Sequence, residues 1–542
     1  MWQNIAEFVP QGSALGVELR GEGMDGRSRM EKLIAGLLWG VGLVAVAGLG
    51  GLARAADLSQ PPPGVAPPTS PGAANAVPFG PQLPHAAQAG ANAAANPHTT
   101  APHTLVEALV AAYSTNPTLL SERAHLRSVD ENVPTALAGW RPQVQFQGEA
   151  GYGYGTQSLY FPPGPLQVFA NARDLGIAQA NITQPLYTGG KVHAQTQEAE
   201  NNVMAERAKL IATEQQVFTQ AVNAYVTVIE DQQLLALNIN NEQVLTKQLQ
   251  ATNDRFRVGE ITRTDVAQAE AALAQARSQR ETAEGTLQTA RATYLSIIGE
   301  QAEHLSEPQP LKLPVKDEVT ANKLAAANNP NVINAQFQLA AAQDAIDAAF
   351  ANLMPTVSVQ NQNFTQQNVA FPYSATNGGQ VTLNLNMPIY QGGSEYAAIR
   401  QARQNEQAAR KSLDEARRTA IQSATQAWET LIAARAAIAS DRAAVRSNEI
   451  ALEGVEREAI VGSRTTLDVL NAQQALLTSQ VTLVQDLASL VNGSYNVASA
   501  VGRLTAHDLS LPVATYDETA YYRAVRNRWF GTGDYATGQP GR

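Results

Sequence analysis

Two long stretches of the sequence contain neither glycine nor proline. They run from Lys191 to Val258 and from Ser394 to Leu452, and apolar residues recur in them at helical spacing among alanines and polar side chains. At a rise of about 1.5 Å per residue, a helix over the first stretch would extend roughly 100 Å. Because no compact domain is that wide, the pattern predicts long helices packed as coiled coils. An extended coiled-coil tether satisfies the same pattern.

Short motifs that flank these stretches occur twice. The motif Pro-x-Tyr-x-Gly-Gly stands at Pro185 and again at Pro388, 203 residues later, and the segment that begins Val258-Gly259 recurs at the same distance as Val461-Gly462. The shared order indicates a duplicated unit of helix, strand, loop, strand, very long helix, short break and helix. The first motif predicts two strand-to-helix junctions, in which proline ends the strand and glycines let the chain swivel, at Pro185, Gly189, Gly190, Pro388, Gly392 and Gly393.

The segments before these junctions alternate between apolar and polar residues. In "QVTLNLNMP", Val381, Leu383 and Leu385 share one face with Met387, and "QVQFQGEAGYGYG" from residue 143 alternates in the same way. Alternation over about ten residues is typical of a transmembrane barrel with a wet lumen, although a soluble sandwich also uses such strands. Two units supply only four strands, which cannot close, and an open edge in hydrocarbon leaves backbone groups unpaired. The pattern therefore predicts an oligomer.

The first 55 residues read as an export signal behind a start-site extension. An apolar stretch from Leu33 to Leu52 follows Arg27, Arg29 and Lys32 and precedes the small-x-small site Ala53-Arg54-Ala55. This order predicts a secretory signal peptide, and a membrane anchor is the alternative. The sequence leaves the translation start open among Met1, Met24 and Met30.

The rest of the chain divides by composition and by the duplication. Residues 56–103 are rich in Pro and Ala and predict a disordered linker. Residues 104–315 form the first repeat and residues 316–511 the second, and residues 512–542 are expected to be a flexible C-terminal tail.

The composition argues against several classes of function. The net charge of −10 and the absence of a basic face disfavour nucleic acid as a partner, and the absence of cysteine excludes disulfides, thiolate metal sites and cysteine nucleophiles. The seven histidines are scattered without ligand spacing. We therefore expect no enzyme activity, no cofactor and no metal.

The duplicated plan, the junctions and the breaks together resemble the TolC-like outer-membrane factor (outer membrane efflux protein) family over about residues 104–511. The resemblance implies a mixed α/β membrane protein. Its homotrimer would form a 12-stranded β-barrel in the outer membrane, continued by a long α-helical coiled-coil tunnel through the periplasm. In that arrangement each junction is the point at which a barrel strand becomes a tunnel helix.

The helix breaks at Gly259 and Gly462 would then lie at the closed periplasmic end. Each is followed by Thr-x-x-Asp, which fits a capping box that restarts the helix. The resemblance gives these tips a gate as well, in which Thr264 and Asp265 face Arg464 of a neighbouring copy and Gln248 faces Glu456. The family's gate tyrosine is Ala459 here. Of the family's two aspartate rings at the pore entrance, this chain keeps Asp468 but has Asn471 at the other position.

The predicted function is that of a passive outer-membrane exit duct, gated at its periplasmic end. The resemblance implies a periplasmic adaptor (membrane fusion) protein and an inner-membrane pump or ABC secretion transporter as partners. The cargo would be small toxic molecules or drugs, or proteins in type I secretion, and the sequence does not choose between them. A structural periplasmic coiled-coil tether is the alternative.

Overall fold

The computed structural model describes residues 102–160, 162–313, 315–370, 373–533 and residue 535. The predicted signal peptide, the choice of translation start and almost all of the predicted linker lie outside these residues. The described helices and strands follow the order that the duplication predicts.

Each repeat combines short helices, a β-hairpin and two long helices. The first repeat consists of α1 (Leu105–Thr115), α2 (Pro117–Asp130), α3 (Asn132–Leu137), β1 (Gln143–Leu159), β2 (Gln167–Tyr187), α4 (Lys191–Arg257) and α5 (Arg263–Ile298). The second consists of α6 (Glu318–Asn328), α7 (Pro330–Phe350), β3 (Thr356–Gln367), β4 (Ala375–Asn386), α8 (Ser394–Ile460) and α9 (Thr466–Ala500). A 3-10 turn, Ala138–Trp140 or Ala351–Leu353, leads into each hairpin, and α10 (Ala520–Val525) follows the repeats.

The helix boundaries have local causes in the sequence. The Thr104 hydroxyl accepts from the backbone N–H of Glu107 at 3.3 Å, and the Glu107 carboxylate accepts from the N–H of Thr104 at 3.3 Å, which starts α1 with a capping box. Asn116 ends α1 and its side chain caps α2, whose first residue is Pro117. The second repeat uses the pair Asn329-Pro330 in the same way. α4 and α8 contain 67 residues each, so each is roughly 100 Å long.

The four strands form one antiparallel sheet in the order β1-β2-β3-β4. The hairpins differ in length, since β1 and β2 have 17 and 21 residues whereas β3 and β4 have 12 each. The first hairpin therefore exceeds the roughly ten residues that the alternation predicts. Because β3 pairs with β2 only as far as Gly176, the part of β2 before it pairs with β1 alone.

The register sorts the side chains onto an apolar and a polar face. Val144 is opposite Ile182, and Val381 is on the same face through its partner Asn361. On the other face a row of glutamine amides crosses all four strands. Gln179 donates to Gln147, Gln362 donates to Gln179 at 3.1 Å, and Gln380 donates to Gln362 at 2.8 Å.

The expectation that proline ends the strand is wrong at the first junction. Pro185 remains paired with Ser358, and β2 continues through an irregularity to Tyr187, which pairs with Val357. Such a bulge tolerates a residue that has no N–H to donate to the ladder. At the second junction, β4 does end at Asn386, two residues before Pro388.

The largest apolar core lies where α1, α4, α5, α9 and the chain after α9 meet. Leu109, Phe218, Tyr294 and Leu504 are buried there. The Tyr225 hydroxyl is among them and lies 3.0 Å from the His103 carbonyl oxygen and 2.8 Å from that of Ser306. Burial raises the pKa of Tyr225, which keeps the hydroxyl protonated.

The expected flexible tail is ordered for most of its length. Residues 512–533, here called the C-terminal segment, lie along the first repeat. The N–H of Tyr516 donates to the Tyr113 hydroxyl at 3.0 Å, and Val525 is buried. The physical reason is a set of long-range contacts to α1, α2 and α4, which local composition does not reveal. Nothing is described for residue 534 or residues 536–542.

Candidate gate and strand-to-helix junctions

At both junctions the chain passes from strand to helix through two glycines with left-handed backbone. φ is 66° at Gly189 and 87° at Gly190, and it is 72° at Gly392 and 85° at Gly393. Residues with a Cβ are strained in this conformation, so the turn depends on glycine. The second glycine of each pair directly precedes the first residue of α4 or α8.

The two junctions have different neighbours. A Cβ on Gly189 would lie 2.6 Å from Cβ of Met354 and 2.9 Å from the carbonyl oxygen of Ala351, both at the 3-10 turn of the other repeat. A Cβ on Gly392 would meet no atom within 4 Å in the described part of the chain. The first junction is therefore enclosed within the chain, whereas the second lies at its surface.

The breaks between the long helices are tight turns at Gly259 and Gly462, where φ is 80° and 82°. The N–H of Glu260 donates to the Arg255 carbonyl at 3.0 Å, and the N–H of Ser463 donates to the Glu458 carbonyl at 3.0 Å. These bonds satisfy carbonyls that the helix end leaves open. Each turn reverses the chain, so both breaks form hairpin tips.

The aspartates after the breaks cap the next helix. Asp265 Oδ2 accepts from the Thr262 N–H at 2.9 Å and from the Thr262 hydroxyl at 2.7 Å, and these bonds hold the pKa of Asp265 below its ordinary value. Asp468 accepts from the Thr465 N–H and hydroxyl, both at 2.9 Å, and its pKa is lowered for the same reason. Both carboxylates are therefore ionised at neutral pH and fixed at the helix N-terminus.

Each tip also contains an ion pair that sequence reasoning missed. Arg255 before the first break contacts Glu260 after it at 2.6 Å, and Arg464 after the second break contacts Glu458 before it at 2.9 Å. The polarity is thus reversed between the tips. A basic and an acidic residue on opposite sides of Val-Gly was the available signal. Pairing with Glu458 raises the pKa of Arg464 further above neutrality.

The remaining predicted gate residues lie on or near these tips. Thr264, Glu456 and Asn471 are exposed, Gln248 is half-buried, and Ala459 is buried. Within the described part of one chain, no hydrogen bond joins Asp265 to Arg464 or Gln248 to Glu456. Leu470 of the second tip packs against Leu245 and Leu273 of the first. The single chain therefore brings the two tips together without forming the predicted polar links.

Two further properties concern the described residues only. None of their helices has both the length and the apolar content needed to cross a membrane. No group of three or more acidic or histidine side chains among them is arranged to hold a metal ion.

Solved structures with this fold are outer-membrane channels. The chain aligns with the Campylobacter jejuni CmeC outer membrane channel at a TM-score of 0.66, with 15% sequence identity, over 78% of this chain and 89% of that one. This likeness establishes the fold.

Sequence relatives establish the family. The outer membrane efflux protein BepC of Brucella suis biovar 1 (strain 1330) is 34% identical over 429 residues, which are 79% of this chain and 91% of BepC. The outer membrane protein TolC of Escherichia coli (strain K12) is 24% identical over 74% of this chain and 84% of TolC. The profile of the family described as "Outer membrane efflux protein" matches residues 108–300 and 322–503. The chain belongs to this family, and it is an outer-membrane protein that extends into the periplasm and serves as an exit duct.

Proposed function

We propose that three copies of this chain close a 12-stranded barrel in the outer membrane and a helical tunnel below it. The tunnel is gated at its periplasmic tips. The single observation that carries the proposal is the sheet with two free edges. β1 and β4 are each paired on one side only within the described chain, and an unpaired edge is not tolerated in hydrocarbon.

The exposed apolar face of the sheet supports the same conclusion. Val144, Phe146, Val381 and Leu383 have between 68% and 76% of their surface exposed in the single chain. Such a face would be an aggregation hazard in water, but it suits a lipid environment. The glutamine row on the opposite face then lines the lumen.

The internal pairing of β2 with β3 supplies a template for the pairing between copies. Near the junctions β4 corresponds to β2 with a shift of 203 residues, and β1 corresponds to β3 with a shift of 213, as Pro388 follows Pro185 and Pro355 follows Pro142. Ala180 pairs with Asn363. Applying the two shifts places Leu383 opposite Ala150 of the next copy, with both on the apolar face.

Disulfide cross-linking tests this register, because the chain has no cysteine of its own. The double variant Leu383→Cys with Ala150→Cys should give covalent dimers and trimers on a non-reducing gel. The control Leu383→Cys with Gly151→Cys puts the two thiols on opposite faces and should stay monomeric, since successive side chains alternate across a strand. A monomer in both variants, with the protein in the outer membrane, would contradict trimer closure.

For the gate we propose exchange of ion pairs. When three copies converge, Asp265 of one copy faces Arg464 of the next, and Arg464 must leave Glu458 to reach it. Exchange of one exposed carboxylate for another contributes little net energy, so the closed state should be only weakly favoured. Gln248 with Glu456, and Thr264 beside Asp265, complete the links. Asp468 would form a ring of three carboxylates at the entrance, with Asn471 uncharged beside it.

The duct itself uses no chemical energy in this proposal. A periplasmic adaptor and an inner-membrane pump or ABC transporter would engage the tips and drive cargo through. The name of BepC supports efflux of small toxic molecules as the main use, and secretion of proteins would require a different transporter on the same duct. A purely structural tether would need neither an apolar sheet face nor free sheet edges.

A further inference from the structure

The C-terminal segment ends in exposed aromatic residues beside the start of the sheet. Arg141, two residues before β1, donates from Nη1 to the Arg528 carbonyl oxygen at 2.5 Å. Its guanidinium carbon lies 5.2 Å from the centre of the Trp529 ring. Trp529 is nevertheless 63% exposed and Phe530 is 88% exposed. Two large rings are thus presented to the surroundings at the base of the first hairpin.

The segment before these rings is firmly held, so their position is defined. The Tyr521 hydroxyl lies 2.8 Å from Glu131 Oε1 on the chain after α2, and Tyr522 packs against Val133 and Val203. Arg526 contacts Glu200 of α4 at 2.7 Å. These contacts fix the segment on both sides of α10. The exposure of Trp529 and Phe530 is therefore a property of an anchored surface.

The position of the rings along the sheet identifies a lipid surface. If the apolar face lies in the outer membrane, as proposed above, it begins at Val144 and Phe146. These residues follow Arg141 by three and five positions, or roughly 10 and 16 Å of strand. Arg141 and Trp529 then lie at the level of the periplasmic headgroups. Aromatic side chains are enriched at that depth because an amphipathic ring suits the boundary between water and hydrocarbon.

We propose that Trp529 and Phe530 insert into the periplasmic leaflet of the outer membrane. The occupant is the phospholipid headgroup region, and Arg528, whose guanidinium lies 3.7 Å from the Tyr535 ring centre, adds positive charge toward the phosphates. The anchor ties the first repeat's helices to the membrane independently of the barrel. It rests on the proposed barrel, and its test is designed so that the two can fail separately.

The test is quenching of tryptophan fluorescence by phospholipids brominated near the headgroup. One protein keeps Trp529 alone, with the other four tryptophans replaced by phenylalanine, at Trp2, Trp39, Trp140 and Trp428. The matched control keeps Trp428 alone, which lies in α8 roughly 50 Å along the helix from the second junction. In proteoliposomes that conduct ions, the Trp529 protein should lose emission and shift to the blue, whereas the Trp428 protein should not.

Other occupants give other results. Unquenched Trp529 in conducting vesicles would overturn the lipid anchor and leave the barrel intact, whereas vesicles without conductance would count against the barrel as well. If the ring instead meets a second copy, Phe530→Cys with Tyr390→Cys should form intermolecular disulfides, because Tyr390 is also exposed and next to β4. That outcome, or unquenched emission without cross-links, which would leave an adaptor protein as the occupant, excludes the lipid surface.

Discussion

The two strand-to-helix junctions have the same motif and the same backbone conformation but different surroundings. Gly189 is enclosed by the 3-10 turn of the second repeat, whereas Gly392 has empty space beside it. The difference follows from the duplication, because the first junction has its neighbour within the chain and the second does not. The shift of 213 residues that relates Pro142 to Pro355 relates Ala351 and Met354 to Ala138 and Arg141. We therefore expect Gly392 to pack against Ala138–Arg141 of the next copy.

The largest expected effect separates the two junctions directly. Gly189→Ala combines left-handed strain of about 1–2 kcal/mol with overpacking of about 1–3 kcal/mol, so the chain itself should fold poorly. Gly392→Ala should leave the folded chain nearly intact but lower the yield of heat-resistant trimer. Gly190→Ala, with a φ of 87° and no close neighbour, measures the strain alone. Equal loss of folded chain in the Gly189 and Gly392 variants would remove the distinction.

A pH effect should arise from the first repeat only. Asp130 in α2 is fully buried, and burial raises its pKa to about 7 despite Arg127 and Arg207; Glu131 and Glu518 also face it. Because the folded pKa exceeds the ordinary 3.8, the folded chain retains a proton that the unfolded chain releases. Stability should therefore fall as the pH rises toward about 7, by up to roughly 4 kcal/mol.

Thermal unfolding across this pH range measures the effect. Asp130→Asn should abolish the slope, and the exposed Asp347→Asn of the second repeat should keep it. The corresponding position in the second repeat is the uncharged Gln343, so no second transition is expected there. An unchanged slope in Asp130→Asn would assign the pH dependence to other groups, of which Glu214 is the next to consider because burial raises its pKa too.

The two hairpin tips should respond differently to loss of their arginine. Arg464→Ser removes the proposed partner of Asp265 and should raise single-channel conductance severalfold in planar bilayers, while the trimer stays folded. Arg255→Ser also breaks an exposed ion pair but leaves Arg464 in place, so conductance should stay close to that of the wild type. Similar behaviour of both variants would mean that these arginines act only within their own tips.

The smallest effect concerns the entrance ring. Asp468→Asn removes three carboxylates from the trimer and should lower cation selectivity without opening the gate. The reverse change, Asn471→Asp, should raise selectivity and increase block by multivalent cations. Reversal potentials in a salt gradient measure both, and identical potentials in wild type and both variants would place the ring outside the conducting path.

The comparison also shows which features local sequence can predict. Gly259 and Gly462 could be assigned to breaks because the turn needs a left-handed residue, and the long helices because nothing interrupts them. The continuation of β2 past Pro185 depends on its pairing with β3, and the order of the C-terminal segment depends on Tyr113 and Glu200 far away in the sequence. Arg464 was assigned a partner in another copy, while its contact with Glu458 depends on the turn geometry.

The row formed by Gln147, Gln179, Gln362 and Gln380 has a consequence for transport. Amide groups neither gain nor lose a proton in the physiological range, and each offers both a donor and an acceptor. That stretch of wall therefore presents the same surface in acid and alkaline media. Cargo of either charge can exchange hydrogen bonds with it as readily as with water, so discrimination by charge is left to the carboxylates at the tips.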